Sequence, residues 1–398
     1  MIYVDNASAS YPKPEEVYEE ALNCMKHYDV YPRDNSNSMA LKSFNKLWET
    51  RKVLCDSFNI KNPCRMIFTK NATEGINIAI KGLLKPEDHV ITTIIEHNSV
   101  LRPLNRMSKK GVGVTLLGVD EYGQLNIDNL KKEIRKNTKL IIINHVSGVL
   151  GTIQYINSIG KIARDSGIIF MVDASESAGN IAIDVEKDNI DLLVFSGEKW
   201  LLGSQGVGGL YINDELPMDS FMEGSTASED NCISHPGYLP DKYESGTLNI
   251  SAIASLCEGV KFIKKVGRRN IQKYTEGLME YLLAELKKLS YVKIYGYPSV
   301  ENRTAILSFN IENIDSYTVG QLLMEKNIIA STGYHSSPLI HVMLGTSKHG
   351  TVRISPGYFN TYNHMEEIIK DRCKIILMSS YPLFLFFFAV FSDLDSGI

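Results

Sequence analysis

The chain has 398 residues, of which 44% are hydrophobic and 22% are charged, and its formal net charge is −4. This composition is typical of a folded globular protein, and the length is sufficient for two domains and a large core. The small net charge gives no reason to expect nucleic acid or an anionic membrane surface as a partner.

Six cysteines are scattered along the chain, without a CxxC pair or the spacing of metal ligands. This pattern predicts reduced thiols and no bound metal, because close pairs of cysteines mark disulfide frameworks and zinc sites. The first residues lack the basic and apolar segments of a signal peptide, so the predicted location is the cytoplasm.

Apolar runs rich in β-branched residues alternate with amphipathic segments up to about residue 250. Such alternation predicts an α/β fold, in which a mostly parallel sheet is covered by helices on both faces. The predicted strands are 65–69, 89–95, 114–119, 140–144, 168–172, 191–195 and 208–212, and the helices between them include 76–84, 128–136 and 156–165.

The pattern changes near residue 250, where two long helical segments, 251–266 and 268–289, precede strand-like runs and a further helix. This change predicts a second, smaller α+β domain at the C-terminal side. The predicted division is a large domain of residues 15–250, a small domain of residues 1–14 and 251–375, and an atypical apolar tail of residues 376–398.

The apolar run 375–391 carries no charge and is interrupted by Ser379, Ser380 and Pro382. It is short for a helical membrane span, and proline disfavours a continuous helix, so a membrane anchor is not the preferred interpretation. A segment that packs on the protein, or a run foreign to the ancestral reading frame, is preferred.

The turn 69–75 joins the first predicted strand to a helix. Asn71 stands at an N-cap position with Glu74 three residues later, which is the pattern of a capping box. The free amides of such a helix start attract phosphate, and Thr73 adds a hydroxyl, although a plain helix cap explains the same residues.

Further along, His97 follows a strand, where a histidine can stack on an aromatic ring or move protons.

Lys199 comes just after a buried strand, and Asp173 ends a strand about one βαβ unit upstream. In this arrangement a lysine amine can condense with the aldehyde of pyridoxal phosphate, while the carboxylate keeps the pyridine nitrogen protonated. Ligands of parallel sheets bind at the carboxyl ends of the strands. One crevice can therefore collect Asp173, Lys199 and the turn after Thr69.

These segments resemble those of the class V aminotransferase and cysteine desulfurase family of pyridoxal phosphate enzymes, over about residues 1–372. The matching segments are 3–7, 71–77, 96–104, 145–147, 172–174, 196–199, 244–247 and 350–355. The resemblance implies fold type I, with a mostly parallel seven-stranded sheet, and a homodimer. It also implies that the protein is an enzyme whose substrate is a small α-amino acid.

The resemblance assigns a role to each matching site residue. Lys199 binds the aldehyde, Asp173 contacts the pyridine nitrogen and His97 stacks on the ring. The other implied contacts are Ala72, Thr73 and Ser196 with the phosphate, Thr247 with the phosphate of the neighbouring subunit, and Arg353 with the substrate carboxylate.

Several residues depart from the family pattern. Ser336 stands where a desulfurase has the cysteine that takes sulfur as a persulfide, and a hydroxyl cannot do this. Around the cofactor, Gly148 replaces an asparagine and Glu176 replaces a glutamine. Two further positions are Ser331 in place of an arginine and Asn37 in place of a histidine of a substrate loop.

Glu198 replaces a histidine that normally binds the phosphate. A carboxylate ~4 Å from a phosphate is opposed by on the order of 4 kcal/mol per unit charge at an effective dielectric near 20. Glu198 must therefore turn away, be protonated, or pair with a cation, for which Lys70 is a candidate.

Three functions are compatible with the residues. The first is an active enzyme that eliminates the β-substituent of a cysteine-like amino acid, with transamination and epimerisation also open. The second is a protein of the same fold that serves as a scaffold without turnover. The third is a true cysteine desulfurase in which a distant thiol, such as Cys232, replaces the missing cysteine.

Overall fold

The computed structural model describes residues 1–32, 37–213, 216–226 and 232–379. The strands are β1 (Ile2–Tyr3), β2 (Met66–Thr69), β3 (His89–Thr93), β4 (Gly113–Leu117), β5 (Thr138–Asn144), β6 (Ile169–Asp173), β7 (Leu192–Ser196), β8 (Gly208–Ile212), β9 (Val292–Tyr295), β10 (Leu307–Ile311), β11 (Ile328–Ile329), β12 (Ser331–Gly333) and β13 (Thr351–Ile354). The helices are α1 (Glu15–His27), α2 (Ser38–Phe58), α3 (Ala72–Leu83), α4 (Asn98–Ser108), α5 (Ile127–Lys132), α6 (Ile156–Asp165), α7 (Ile250–Val266), α8 (Arg268–Lys287), α9 (Ser316–Glu325), α10 (Pro338–Leu344) and α11 (Tyr362–Ser379).

A seven-stranded sheet in the order β2-β8-β7-β6-β5-β3-β4 forms the centre of the described chain. Only β8 runs against its neighbours, and the other strands of this sheet share one direction. Strands β5, β6 and β7 are buried along almost their whole length, because helices cover both faces. The predicted α/β fold with a mostly parallel seven-stranded sheet is confirmed.

A second sheet, antiparallel and four-stranded, has the order β12-β13-β10-β9 within the described residues. The N-terminal β1 pairs in parallel with β11, with Ile2 opposite Ile328, so the start of the chain joins this C-terminal part. The smaller α+β unit is therefore present as predicted, while the limits of the two domains stay a prediction.

Two long helices connect the two sheets and belong to different cores. The buried side chains of α7, among them Leu256, pack with Phe195 and other residues of the large sheet. Those of α8, among them Leu282, pack with Phe309 of the small sheet. The helices α7 and α8 therefore lead the chain from the core of the large sheet to that of the small sheet.

The predicted apolar tail falls largely outside the described residues, which end at Ser379 in α11. Within the described chain, we find no helix with the length and apolar character required to cross a bilayer.

Candidate active site

One cavity of about 500 Å³ lies at the carboxyl ends of β2, β6 and β7. These strands point the same way, so the residues that follow them meet at one edge of the sheet. Thirteen of the residues singled out from the sequence line this cavity: Asn71, Ala72, Thr73, His97, Gly148, Asp173, Glu176, Ser196, Glu198, Lys199, Ser331, Ser336 and Arg353.

The N-terminus of α3 forms one end of the cavity. Asn71 caps the helix by accepting a hydrogen bond from the Glu74 amide at 3.1 Å, as the sequence predicted, although the helix begins at Ala72 and not at residue 76. The Ala72 amide donates to Ser196 Oγ at 3.0 Å, which ties the helix start to the end of β7. A Cβ at Gly208 would lie 2.7 Å from Asn71 Cα, so this glycine lets the turn approach the sheet.

Lys199 and Glu176 form an ion pair in the wall of the cavity. Lys199 Nζ lies 2.6 Å from Glu176 Oε1. The second oxygen of the same carboxylate, Oε2, accepts a hydrogen bond from Trp200 Nε1 at 2.9 Å. Each oxygen of Glu176 therefore has one donor, and the carboxylate is held in a single orientation.

Asp173 is oriented by the residue two positions later. Its Oδ1 accepts hydrogen bonds from the amide of Ser175 at 2.9 Å and from the Ser175 hydroxyl at 2.5 Å. Two donors on Oδ1 fix the orientation of the carboxylate and leave Oδ2 available to the cavity.

His97 is the N-cap of α4, and its ring is neutral. The Ser99 amide donates to His97 Nδ1 at 3.0 Å, so in the neutral ring the proton is on Nε2. Burial lowers the pKa of His97, and the charge of Lys199 acts in the same direction, while Asp173 opposes both. The histidine therefore presents an aromatic face or one N–H donor.

Arg353 lies in β13 of the small sheet, where it is buried in the cavity wall and is held by three hydrogen-bond acceptors. Its Nη1 donates to the carbonyl oxygen of Gly148 at 2.9 Å, and its Nη2 donates to Asp5 Oδ1 at 2.9 Å and to Ser8 Oγ at 2.8 Å. The N-terminal segment thus fixes the guanidinium at the edge of the cavity.

Glu198 points into the cavity, and its side chain does not pair with Lys70. Lys70 Nζ lies 3.6 Å from Glu74, so the proposed Lys70–Glu198 pair is wrong. Glu198 Oε2 is buried and has no hydrogen-bond partner among the described residues. Burial raises the pKa of Glu198, against opposing effects of Lys199, Ser196 and Lys13. The side chain therefore neither turns away from the cavity nor pairs with Lys70, and burial favours its protonated form relative to an exposed glutamate.

Ser336 lies in a tight turn between β12 and α10. His335 and Ser336 both have left-handed backbones, with φ of 47° and 57°. The Asn98 amide donates to the Ser336 carbonyl at 2.7 Å, which anchors the turn beside His97. His335 Nε2 contacts Thr351 Oγ1 at 3.0 Å, and burial holds the pKa of His335 well below its usual value. The turn is therefore fixed from both sides.

Two residues assigned from the sequence lie away from this cavity. Thr247 lines a neighbouring cavity of about 610 Å³, which also contacts Asn71 and Glu198. Asn37 is exposed, and its Oδ1 caps α2 by accepting from the Ala40 amide at 2.9 Å. The structure does not bring Asn37 to the cavity, because its side chain serves the helix start.

The model of the class V aminotransferase family matches residues 2–370 of the chain. The chain belongs to the class V aminotransferase family. A probable cysteine desulfurase of Methanothermobacter thermautotrophicus is 32% identical, over 92% of each chain, and one of Pyrococcus abyssi is 33% identical, again over 92% of each. The apo structure of cysteine desulfurase from Thermococcus onnurineus superimposes with a TM-score of 0.89 at 30% identity, covering 94% of each chain.

Members of this class V family are enzymes that depend on pyridoxal phosphate, and the protein is therefore such an enzyme, acting on an α-amino acid. The cavity fits this cofactor. Its lining includes a lysine that can bind the aldehyde and an oriented carboxylate that can contact the pyridine nitrogen. It also includes a helix start with hydroxyl groups that can bind the phosphate.

The sequence alone did not reveal several side chains that hold the site. Ser175 was findable, because a serine two residues after an aspartate commonly forms a local turn. Trp200, Asp5 and Ser8 contact the site across the fold, and nothing in the local pattern connects Asp5 with Arg353.

Proposed function

We propose that the protein is a carbon–sulfur lyase that removes the sulfur of a cysteine-like amino acid by β-elimination. The observation that carries this proposal is the Ser336 hydroxyl in the cavity wall, at the position where the resemblance expects the persulfide cysteine. Among the described residues, the cavity lining includes no thiol that could retain sulfur. The sulfur then leaves as sulfide.

The reaction requires a base at the substrate Cα. When bound, the cofactor supplies an electron-withdrawing pyridinium ring that stabilises negative charge at this carbon. Lys199 Nζ takes the Cα proton, Asp173 keeps the pyridine nitrogen protonated, and His97 packs on the ring. The electron pair at Cα forms the Cα–Cβ double bond while the Cβ–S bond breaks.

The phosphate end is assigned to Ala72, Thr73 and Ser196 at the start of α3. The positive end of the helix and its free amides attract the anion. Glu198 lies at the same end, and its raised pKa favours the neutral form. A protonated carboxyl donates a hydrogen bond to the phosphate, whereas a carboxylate would repel it.

Arg353 is assigned to the substrate carboxylate. Contacts with Asp5, Ser8 and Gly148 hold its guanidinium in place and occupy both Nη2 hydrogens, so its positive charge and the remaining Nη1 hydrogen serve the carboxylate. A homodimer is part of the proposal, since Thr247 faces a separate cavity and can serve the phosphate of a second subunit. Asn37 is proposed to reach substrate only from a neighbouring subunit, and the cytoplasm stays the proposed location.

Product analysis tests the proposed reaction. The holoenzyme is incubated with L-cysteine, and the products are quantified with a sulfane-sulfur assay of the protein. β-Elimination with one water gives pyruvate, ammonia and hydrogen sulfide in equal amounts, and the protein gains no sulfur. Alanine together with protein-bound sulfane sulfur would instead establish a desulfurase, as the names of the relatives suggest, with Cys232 as the first thiol to replace. A protein that binds the cofactor but turns over no amino acid would be a scaffold.

Ser336→Cys is expected to create a sulfur acceptor in the cavity. Because the Asn98 contact holds the backbone of residue 336, the new thiol takes the position of the hydroxyl. We expect protein-bound sulfane sulfur and alanine to appear in this variant and to be absent from the wild type. Ser337→Cys, in the same turn, is the matched control. Because Ser337 is buried and also lines the cavity, equal labelling of both variants would show that sulfur transfer does not depend on the position of the thiol at residue 336.

Cofactor retention is expected to fall as the pH rises through the raised pKa of Glu198. Below this pKa the carboxyl is neutral, and above it a carboxylate opposes the phosphate. Glu198→Gln should remove this part of the pH dependence, and Glu198→His should slow cofactor loss about tenfold near pH 6, where histidine is largely protonated. Loss is followed by visible absorbance during dialysis. A loss rate in Glu198→His that equals or exceeds that of the wild type would contradict the assignment.

A further inference from the structure

We propose that Glu176 is a catalytic acid that carries the proton from Lys199 to the departing sulfur. This inference rests on the proposed lyase function. It assigns to Glu176 a role that a glutamine, which the resemblance expects at this position, cannot perform.

The geometry connects Glu176 directly with the reacting nitrogen. Its Oε1 lies 2.6 Å from Lys199 Nζ, within the range of a direct proton transfer. The Glu176 side chain is 8% exposed and that of Lys199 is 18% exposed, so water competes little for this contact. Both residues line the cavity that holds Asp173 and Ser336.

The two neighbours of Glu176 require a carboxylate at this position. Lys199 as an ammonium and the indole of Trp200 can only donate hydrogen bonds, one to each oxygen of Glu176. A glutamine would turn its amino group toward one of the two donors and leave that donor unpaired. Glu176 and Trp200 therefore form one unit, and the aromatic N–H fixes the carboxylate for its contact with Lys199.

A second departure from the family pattern opens the space above this carboxylate. A Cβ at Gly148 would lie 3.7 Å from Glu176 Oε1 and 3.8 Å from its Cγ. A larger side chain there would cover the carboxylate, whereas glycine leaves it open to the cavity. The carbonyl of Gly148 also binds Arg353, the residue assigned to the substrate carboxylate. Gly148 therefore lies between Glu176 and Arg353, the proposed anchor of the substrate.

The proton balance of the elimination needs such a group. The Cα–H bond breaks, and its proton goes to Lys199 Nζ. The Cα electron pair forms the double bond to Cβ, the Cβ–S bond breaks, and the hydrosulfide that departs from L-cysteine takes one proton to leave as hydrogen sulfide. Glu176 receives the proton from Lys199 and delivers it to the sulfur, so no external acid or oxidant is required.

The other acid–base groups of the cavity are less suited to this step. His97 Nδ1 accepts the Ser99 amide, and burial lowers the pKa of the ring, so His97 is a poor proton donor at neutral pH. Glu198 is assigned to the phosphate end, and Asp173 is occupied with Ser175. Only Glu176, among the described carboxylates that line the cavity, is paired with Lys199.

The leaving group provides a direct test. Glu176→Gln/Trp200→Phe removes the carboxylate without leaving the indole donor unpaired, and Trp200→Phe is the reference. Elimination is measured with L-cysteine, whose departing hydrosulfide takes up a proton, and with β-chloro-L-alanine, whose departing chloride needs none. We expect the ratio of the two kcat values, cysteine over chloroalanine, to fall about 100-fold in the double variant. Exchange of the Cα proton of L-alanine in D2O, which involves no leaving group, should change less than about threefold.

A readout independent of turnover checks the geometry. The chain has two tryptophans, Trp48 and Trp200, so its nitrogen–proton NMR spectrum contains two indole signals. The Trp200 signal, identified by its loss in Trp200→Phe, should move in Glu176→Gln and on addition of cofactor, while that of Trp48 should not.

The outcomes separate this inference from the function on which it rests. A wild type that eliminates neither substrate contradicts the lyase function itself. A wild type that eliminates both, combined with equal losses for cysteine and chloroalanine in the double variant, overturns proton delivery by Glu176. An unchanged chemical shift of the Trp200 indole in Glu176→Gln contradicts the hydrogen bond between Trp200 and Glu176.

Discussion

Lys199→Ala is expected to lower turnover by at least about 10⁴-fold, since it removes both the covalent anchor of the cofactor and the proposed base. The protein should no longer develop the visible absorbance of bound cofactor, and borohydride treatment should add no cofactor mass to the peptide that contains residue 199. In the wild type the same peptide should carry this mass.

The control for this variant must separate chemistry from folding. Removal of the ammonium leaves Glu176 without its cation, so some loss of stability accompanies Lys199→Ala. Lys61→Ala removes a lysine that is 77% exposed and pairs with Glu186 on the surface, and it should change neither colour nor turnover. Added methylamine should restore a small part of the activity of Lys199→Ala. Full colour and turnover in Lys199→Ala would refute the assignment of Lys199.

The sequence predicted the large sheet well because its strands carry their own signal. Runs such as β5 and β6 are apolar on both faces, which only a covered parallel sheet explains. Strands of the small sheet with mixed exposure, such as β9, gave no clear pattern and were missed. Helix α4 was not among the predicted helices, and Pro103 in its interior is a residue that normally disfavours a continuous helix.

The candidate site was predicted in its parts but not in its contacts. Asp173 and Lys199 follow strands of one direction, so their meeting at one edge follows from topology. The pairing of Lys199 with Glu176 depends on the turn after β6, whose conformation the sequence does not specify. In the structure Lys70 pairs with Glu74, four residues later, and not with Glu198 as predicted. A contact between residues i and i+4 forms within one helical turn and does not depend on the tertiary fold.

Arg51→Met is expected to lower the free energy of unfolding by about 3–5 kcal/mol, the range found when one partner of a buried ion pair is removed. The side chains of Arg51 and Glu244 are 1% and 7% exposed. Arg51 Nη2 contacts Glu244 Oε2, and Arg51 Nη1 donates to the carbonyl of Met66 in β2. Without the guanidinium, Glu244 is a buried carboxylate that lacks a counter-charge.

Removal of Arg51 should also weaken cofactor binding, because the Arg51–Glu244 pair supports β2, the strand that leads to the proposed phosphate-binding turn at the start of α3. Glu244 Oε1 accepts the Phe68 amide at 2.6 Å, just before Thr69 and the N-cap Asn71. Movement of β2 therefore shifts the start of α3. Faster loss of cofactor from Arg51→Met than from the wild type would report this coupling.

Urea denaturation at one protein concentration, with equal m values, measures the change. In Arg51→Met/Glu244→Gln the amide still accepts from Phe68 but needs no counter-charge, so this double variant should be more stable than Arg51→Met by about 1–3 kcal/mol. Lys264→Met is the surface control, because Lys264 and Asp56 are 76% and 69% exposed, and it should change stability by less than about 0.5 kcal/mol.

The pH dependence gives the sign of the effect. Burial raises the pKa of Glu244, and Arg51 opposes this shift, so loss of Arg51 raises the folded-state pKa further. The folded variant then binds more protons than the unfolded chain, and its stability falls as the pH rises between the two pKa values. The deficit of Arg51→Met should therefore be smaller at pH 5 than at pH 8. An equal deficit at both pH values, or a double variant as unstable as Arg51→Met, would show that lost packing of Arg51 against Phe68, and not the unpaired charge, causes the loss.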